Sequence, residues 1–297
     1  MAEYQPEEMP TEGPKLTLLG DLVGELVKEN ELLAEARKTG KLLGPATDLP
    51  CVDEALGGYF FPGVHILQAA PGAGKTAFCL QTGARSGFPT LFVSAEMPSL
   101  ELFRRLIARE TGTFLGKLKS GELSETEITS KARQTAQKIP HFAILDATAA
   151  YASPQFILET AQLVQRRTEK EKVLLVIDSL QVWARSAGES GDSEYDLVNH
   201  GLKAARTLAA TLKAPVLTVS HRNRAGQKGG GMFAGKGSGD IEYTAETVME
   251  LDRDEKTKPD ANGNVPITLF IHKNRHGAAG GSIPLKFCGR LQEFEEA

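Results

Sequence analysis

Residues 69–76 have the composition of a loop that binds the phosphates of a nucleotide. They read Ala-Ala-Pro-Gly-Ala-Gly-Lys-Thr, and they lie between the apolar run Val64 to Leu67 and a helix-compatible stretch. A triphosphate needs several backbone N–H groups that point inward, and Gly72 and Gly74 allow the main chain to curl closely enough to supply them. The order of strand, glycine loop and helix therefore predicts a site for a nucleoside triphosphate.

Two side chains at the end of this loop have the chemistry to act on the phosphates and on a metal ion. Lys75 is placed to reach the β and γ phosphates, and the Thr76 hydroxyl is placed to bind Mg²⁺, so ATP and Mg²⁺ are the expected cofactors. The usual pattern has a glycine where this chain has Ala69, and the match therefore rests on the Gly-Lys-Thr half and its context. The alternative is a glycine-rich turn that merely precedes Lys-Thr. The residues expected to contact the nucleotide are Pro71, Gly72, Ala73, Gly74, Lys75, Thr76 and Ala77.

Two carboxylates follow apolar runs and are candidates to complete this chemistry. The run Val173 to Ile177 ends in Asp178, as expected of a buried parallel strand, and Asp178 is expected to hold Mg²⁺ directly or through water. A second apolar strand ends at Ser94, which places Glu96 at the same rim of the sheet. There Glu96 would orient and activate the attacking water. Alternatively, Glu96 is only a charge that favours the N-terminus of the next helix.

The elements that would position these groups alternate between apolar strands and helical patterns, which predicts an α/β fold with a mostly parallel central sheet and flanking helices. From residue 247 onward, apolar segments separated by Asp, Asn and Gly turns predict antiparallel strands that close one edge. The predicted strands are 64–69, 90–94, 141–146, 172–178 and 215–220, with C-terminal strands at 248–252, 267–272 and 282–287. The predicted helices are 75–85, 98–111, 124–137, 154–168 and 196–213.

The N-terminal segment differs in composition from the rest of the chain. Residues 1–14 carry four Glu and three Pro, which predicts a disordered acidic tail. Leucine and valine then recur at helical spacing, and residues 16–38 are predicted to form an amphipathic helix that ends near Gly40. We therefore expect a tail over residues 1–14, a linker helix over 15–41 and one catalytic domain over 42–297. The apolar stripe of the helix could bury against its own domain or against a neighbouring subunit.

Composition excludes several classes of protein. The sequence has no apolar stretch long enough to span a bilayer and no secretory signal at its N-terminus, so we expect a cytoplasmic protein that does not bind membranes. Its cysteines, Cys51, Cys79 and Cys288, are far apart and are expected to be buried small side chains rather than disulfide or zinc ligands. The net charge of −4 argues against a uniformly basic protein that coats nucleic acid.

Several of these segments together resemble the motor domain of DnaB-type replicative helicases, which has a RecA-like P-loop NTPase fold. The similarity covers residues 42–295, and the chain is expected to lack the N-terminal domain through which those helicases usually engage primase. The motifs that carry the resemblance are Ala70–Thr76, Phe92–Met97, Val176–Gln181, Val219–Arg224, Gly237–Glu242 and Ile271–Gly277.

This resemblance implies an ATP-hydrolysing DNA helicase or translocase that acts on single-stranded DNA during replication, as a ring that is expected to be a hexamer. A helicase loader or another replication protein would be a partner. Family members complete each site with a lysine and an arginine from the next subunit, and those positions fall on Lys273 and Arg275. Without the resemblance, these residues would be an ordinary solvated basic turn. The family's linker helix docks on the adjacent subunit, and residues 16–38 are similar in position.

One position departs from the family pattern. Family members usually have glutamine after the serine that corresponds to Ser220, whereas this chain has His221. A histidine can still sense the γ phosphate by hydrogen bonding, but it can also titrate near neutral pH.

A basic, glycine-rich stretch over residues 222–236 follows the end of a predicted strand. In RecA-like rings such loops line the channel, where cations and backbone amides follow the phosphates of a single strand. The alternative is a surface loop without a ligand. A second flexible stretch, residues 185–193, is mixed in charge and is the weaker candidate. The cations expected to bind nucleic acid are Arg222, Arg224, Lys228 and Lys236.

Two other functions fit the same residues. One is a RadA-like or KaiC-like ATPase that remodels DNA or a protein partner without processive unwinding. The other is a nucleotide-gated adaptor in which ATP binding controls assembly, although Lys75, Thr76, Glu96 and Asp178 argue against a loss of catalysis.

Overall fold

The computed structural model describes residues 16–188, 193–221, 244–253 and 257–297, in two compact units that meet in sequence between Leu43 and Gly44. The first unit contains helix α1 (Leu19–Thr39), close to the helix predicted over residues 16–38. This helix ends because Gly40 adopts a left-handed conformation and donates its backbone N–H to the Ala36 carbonyl. The predicted tail over residues 1–14 lies outside the described residues.

The second unit is a mixed sheet covered by helices on both faces. In the described residues the strands are β1 (Gly63–Ala69), β2 (Thr90–Ser94), β3 (Phe142–Asp146), β4 (Leu174–Asp178), β5 (Pro215–His221), β6 (Thr247–Asp252), β7 (Asn264–Asn274), β8 (Gly281–Cys288) and β9 (Glu293–Glu296). Their spatial order is β3-β2-β4-β5-β1-β6-β7-β8-β9. The helices are α2 (Pro50–Leu56), α3 (Lys75–Arg85), α4 (Ser99–Thr111), α5 (Lys117–Ser120), α6 (Glu125–Lys138), α7 (Pro154–Thr168), α8 (Leu180–Arg185) and α9 (Glu194–Leu212).

The sheet is buried on both faces, which explains why its central strands are continuous apolar runs. Side chains alternate between the faces with the period of a strand. In β1, Val64 and Ile66 pack into a cluster with α7, α8 and α9, whereas Leu67 packs into a cluster with α2, α3 and α4. The buried indole of Trp183 donates its Nε1–H to the Ala152 carbonyl at 2.8 Å and fills the first cluster. The core therefore fixes the ends of β1, β2, β4 and β5 relative to one another.

The C-terminal edge confirms the predicted antiparallel strands, with one exception. β7, β8 and β9 form antiparallel pairs in series, but β6 pairs parallel with β1 and antiparallel with β7. The direction of β6 could not be predicted because an apolar run does not encode which neighbour it joins. Strand β9 and the short helices α2, α5 and α8 were not predicted from the sequence, because they are too short to show a period.

Two of the three cysteines are buried, as predicted. Cys79 and Cys288 are buried, but Cys51 is only partly buried, because it lies in the first turn of α2 with its backbone N–H donated to Glu296 Oε1 at 2.7 Å. Among the helices of the described residues, none has the length and apolar character to cross a membrane.

Candidate nucleotide-hydrolysis site

The phosphate loop connects the end of β1 to the start of α3. Gly72 and Gly74 have φ angles of 80° and 95°, which L side chains rarely adopt. A β-carbon at Gly74 would also lie 2.8 Å from Phe294 Cζ, so packing independently requires glycine there. Within the loop the Ala73 side chain is buried, and α3 begins at Lys75. The loop thus presents backbone N–H groups and the N-terminus of a helix, a favourable combination for a phosphate.

The Lys75 ammonium lies across the mouth of this loop. Its Nζ donates to the carbonyl of Ala69 at 2.8 Å and to that of Ala70 at 3.1 Å. Burial lowers the pKa of Lys75, while the charges of Asp178 and Glu96 oppose that shift. A phosphate oxygen could replace these carbonyls as the acceptor of the Lys75 ammonium.

Asp178 is the last residue of β4, which is separated by β5 from β1, the strand that precedes the phosphate loop. Its side chain is buried and accepts a hydrogen bond from Thr76 Oγ1 at 2.7 Å. Burial raises the pKa of Asp178 to about 6, and the hydrogen bond from Thr76 opposes the rise. A hydroxyl beside a buried carboxylate is an oxygen ligand set that suits Mg²⁺, and a cation there would favour the ionised carboxylate. The residues therefore fit the predicted metal.

Glu96 is held by two side chains at the same rim. Its Oε1 lies 2.7 Å from His221 Nε2 and accepts a short hydrogen bond from Ser179 Oγ; His221 Nε2 lies 3.1 Å from the same hydroxyl. The hydrogen bond from His221 lowers the pKa of Glu96, with Ser179 adding to the effect and burial opposing it. Helix α4 begins at Ser99, and the acidic residue in its first turn is Glu101, whereas Glu96 precedes the helix by three residues.

These groups converge because parallel strands end at one rim of the sheet. In the strand register, Ser94 of β2 lies opposite Asp178 of β4, and Ala69 of β1 lies opposite His221 of β5. Lys75, Thr76, Asp178, Glu96 and His221 are thereby brought together from four strand ends. The peptide bond that joins Asp178 to Ser179 is cis.

Three further residues of this rim were not singled out from the sequence. Ser179 contacts Glu96, as described above, and Gln181 accepts from the His221 backbone N–H at 3.2 Å while it donates to Ser220 Oγ at 2.8 Å. Arg253, just after β6, donates to the Gly72 carbonyl at 3.4 Å. Ser179 and Gln181 lie in the motif Val176–Gln181, which carries part of the family resemblance. Arg253 could be found only from the pairing of β6 with β1, since no local pattern marks it.

Lys273 and Arg275 are not part of this cluster. Asn274 pairs with Thr247, which pairs with His65, so the end of β7 lies at the rim where β1 begins. The length of β1 separates the two rims by about 20 Å at 3.3 Å per residue. Arg275 Nη1 donates to Glu246 Oε1 at 3.2 Å, and the arginine side chain is half exposed. Within one chain these cations do not reach the phosphate loop.

The structure does not describe the residues that were predicted to bind nucleic acid. Arg222, Arg224, Lys228 and Lys236 lie outside the described residues, as do residues 189–192 of the second candidate stretch. The last described residue before these four cations is His221, which ends β5 at the rim of the phosphate loop.

The chain matches the family model for the DnaB-like helicase C terminal domain over residues 44–296. It is 28% identical over 287 residues to the replicative DNA helicase DnaB of Treponema pallidum, which covers 93% of this chain and 61% of the relative. The chain thus spans about three fifths of the length of that relative.

Two solved structures place the fold among RecA-like domains. The ATPase domain of G40P superposes with a TM-score of 0.77 at 22% identity, over 94% of this chain and 99% of that one. A KaiC-like protein from Pyrococcus horikoshii superposes with a TM-score of 0.57 at 19% identity, over 85% of this chain and 97% of that one. The predicted α/β fold with a RecA-like architecture is confirmed.

Proposed function

Since the chain belongs to the family of DnaB-like helicase C-terminal domains, we propose that it hydrolyses ATP and uses the energy to move along single-stranded DNA during replication. The observation that carries this proposal is the convergence of Lys75, Thr76, Asp178 and Glu96 at one rim. We assign the activity to the cytoplasm, as expected for a protein that acts on replicating DNA.

Each residue of the rim has a chemical task in this proposal. Backbone N–H groups of the phosphate loop and the Lys75 ammonium bind the β and γ phosphates, after Lys75 exchanges its two carbonyl acceptors for phosphate oxygens. Mg²⁺ held by Thr76 and Asp178 would neutralise charge on the transferred phosphoryl group. Glu96 accepts the proton of the attacking water, and the low pKa set by His221 and Ser179 keeps it ionised and ready.

The second half of the site comes from a neighbouring copy. Arg275 and Lys273 lie at the opposite rim, and a ring of subunits, which we take to be a hexamer, would present them to the next phosphate loop. A guanidinium supplied in this way stabilises the charge that develops on the transferred phosphoryl group. Hydrolysis then depends on the geometry of the interface between subunits.

The proposed ring would also use helix α1 to join neighbours. This can be tested by deleting residues 1–40 and measuring the molar mass by light scattering. A smaller assembly is the expected result. A ring of unchanged size would show that the second unit assembles without the helix.

The experiment that tests the function measures ATP turnover with and without single-stranded DNA. In the test variant, glutamine replaces Arg222, Arg224, Lys228 and Lys236. In the control variant, glutamine replaces four exposed cations outside that loop: Lys117, Arg133, Arg167 and Lys170. We expect DNA to stimulate the wild type and the control but not the test variant, because the loop charges bind phosphates without reading sequence. Equal turnover in all cases would contradict a DNA motor.

A forked duplex separates the helicase from the KaiC-like alternative. Strand displacement on the fork that requires ATP would support unwinding, whereas stimulation by DNA without displacement would favour an ATPase that remodels DNA or a protein partner. The match to the family model for the DnaB-like helicase C terminal domain over residues 44–296 supports the helicase. A loader or another replication protein would then be needed to place the ring on DNA.

A further inference from the structure

The rim opposite the phosphate loop carries a connected set of contacts that ends at Arg275. Glu246, one residue before β6, accepts from Arg275 Nη1 at Oε1 and from His276 Nε2 at Oε2, at 3.2 and 3.1 Å. The carboxylate therefore bridges the two side chains. It is only 18% exposed, whereas the Arg275 side chain is 50% exposed.

The backbone of Glu246 is fixed from both sides. Its N–H donates to the Val64 carbonyl at 2.7 Å, and its own carbonyl accepts from the Arg275 N–H at 3.0 Å. Gly63 leaves room for the side chain, since a β-carbon at that position would collide with Glu246 Cγ. The carboxylate consequently has little freedom to move away from Arg275.

The ring of His276 is held by stacked aromatic side chains. It stacks on Phe61 with centroids 4.0 Å apart and planes at 11°, and Phe61 stacks on Tyr59 at 4.4 Å and 24°. The turn that follows β7 is fixed as well, because the His276 N–H donates to Asn274 Oδ1 and Asn274 Nδ2 donates to the Ala55 carbonyl. His276 therefore meets Glu246 with both its ring plane and its backbone constrained.

His65 anchors the base of this stack. The fully buried imidazole lies 2.7 Å from the Phe61 carbonyl through Nε2 and 3.1 Å from Thr247 Oγ1 through Nδ1. Because a carbonyl can only accept, Nε2 carries the hydrogen and Nδ1 accepts from Thr247. This contact ties the backbone of Phe61 to β6 beside Glu246.

The charges around Glu246 also favour an orienting role. Glu246 and Arg275 line an open cavity of about 440 Å³ together with Arg206 on α9 and Lys213, the residue that follows α9. The carboxylate is thus the acidic side chain in a lining that carries three cations. The negative charge of Glu246 attracts the Arg275 guanidinium, whereas the other two cations of the lining repel it.

We propose that Glu246, braced by His276 on the Phe61 and Tyr59 rings, is a positioning residue that holds the Arg275 guanidinium in the orientation it presents to the nucleotide of the adjacent copy. This inference rests on the proposed function, in which Arg275 acts across the interface. A fixed guanidinium stabilises the transition state more than a mobile one, because its ordering does not have to be achieved during the reaction.

The test compares steady-state ATP hydrolysis by the full chain and its variants in the presence of single-stranded DNA. Glu246→Gln keeps the size of the side chain and removes its charge. We expect it to lower kcat by about tenfold with the KM for ATP unchanged, since a misplaced catalytic group costs on the order of 10- to 100-fold. Glu159→Gln, at an exposed position on α7, is the matched control. Phe61→Leu removes the stack beneath His276 and should cause a smaller loss of the same kind.

A double-mutant cycle separates positioning from a general effect on structure. Once Arg275 is replaced by alanine, a further Glu246→Gln change should cost nothing more. An additive loss in the double variant, or an unchanged or raised kcat in Glu246→Gln, would overturn the inference. If Glu246→Gln does not fold, as judged by thermal unfolding, Phe61→Leu in the same cycle decides the question.

The outcome also distinguishes this inference from the proposed function. A normal kcat for Arg275→Ala would overturn the action of Arg275 across the interface, and the positioning role with it. A low kcat for Arg275→Ala together with a normal kcat for Glu246→Gln would overturn the positioning role alone.

Discussion

Two pairs of a histidine and a glutamate lie at opposite rims of the sheet. At one rim, His221 Nε2 lies 2.7 Å from Glu96; at the other, His276 Nε2 lies 3.1 Å from Glu246. The first carboxylate shares its rim with a lysine, a threonine and an aspartate from the ends of parallel strands. The second meets an arginine at the end of an antiparallel strand. Similar side chains thus have different neighbours.

The difference follows from strand direction. Strands β1, β2, β4 and β5 are parallel, so their carboxyl ends deliver side chains to one rim of the same chain. β7 runs the other way and delivers Arg275 to the far rim, where its own chain has no phosphate loop. Under the proposed function, a single sheet would carry two half-sites, one at each rim, and a complete site would require two copies. The predictions below test whether the two rims are halves of one site.

The largest effect is expected when one half-site is lost from every copy. Lys75→Ala removes the phosphate ligand at one rim, and Arg275→Ala removes the guanidinium at the other. Each variant alone should lose about a thousandfold or more in kcat. In mixed assemblies some interfaces pair an intact phosphate loop with an intact Arg275, so ATP turnover by the mixture should exceed that of either variant alone.

The control for this mixture uses two variants of the same rim. Lys75→Ala mixed with Glu96→Gln places both lesions in the same half-site, and no interface containing two different variants is then complete. No recovery is expected in that mixture. Equal recovery in both mixtures, or none in either, would contradict two half-sites that meet at an interface.

A smaller but still large effect is expected from Glu96→Gln. The amide cannot accept the proton of the attacking water, so kcat should fall by about a hundredfold or more while nucleotide binding persists. Binding can be followed with a fluorescent ATP analogue and turnover by phosphate release. Glu159→Gln again provides the control, and wild-type turnover by Glu96→Gln would remove its assignment as the base.

At the rim opposite the phosphate loop, the buried His65 is expected to make the free energy of unfolding depend on pH. Burial lowers the pKa of His65 to about 4. Because the unfolded chain binds this proton at a higher pH than the folded chain, the stability contributed by neutral His65 is present above about pH 6.5 and is lost as the pH falls towards 4. Between those limits the wild type should lose about 3 kcal/mol relative to His65→Gln.

Urea unfolding of the wild type and of His65→Gln at several pH values measures this difference. His141→Gln, which removes an exposed imidazole, accounts for the loss of a histidine as such. Parallel stability curves for the wild type and His65→Gln would show that the folded protein does not keep the His65 ring neutral as the pH falls.

The two rims also differ in how much of them the sequence predicts. Lys75, Thr76, Glu96 and Asp178 each lie in or just after a segment with a clear local pattern, and the meeting of parallel strand ends brings such residues together. The strand boundaries in this part of the chain were predicted to within two residues for the same reason. Local sequence patterns were therefore enough to predict this rim, because its strands are parallel and end at the same edge of the sheet.

The far rim depends on contacts between residues that no local pattern connects. Glu246 and His276 are 30 residues apart, and they meet only because β6 and β7 pair in one register. Phe61 reaches the same place from the turn before β1. The parallel pairing of β6 with β1, which also brings Arg253 to the phosphate loop, is likewise a property of the folded sheet and was not predictable from composition.

The smallest effect should distinguish the two histidines. The hydrogen bond from His221 holds the pKa of Glu96 below its usual value, so Glu96 stays ionised to lower pH. His221→Leu removes the donor, and the pKa of Glu96 should rise; the acidic limb of the pH–kcat profile should then move to higher pH with little change at pH 8. His221→Gln retains a donor and should keep the acidic limb near that of the wild type.

His276→Leu acts on Glu246, which transfers no proton in this scheme, and should lower kcat at every pH without moving the limb. An acidic limb that moves in His276→Leu, or stays in place in His221→Leu, would contradict the division of roles between the two glutamates.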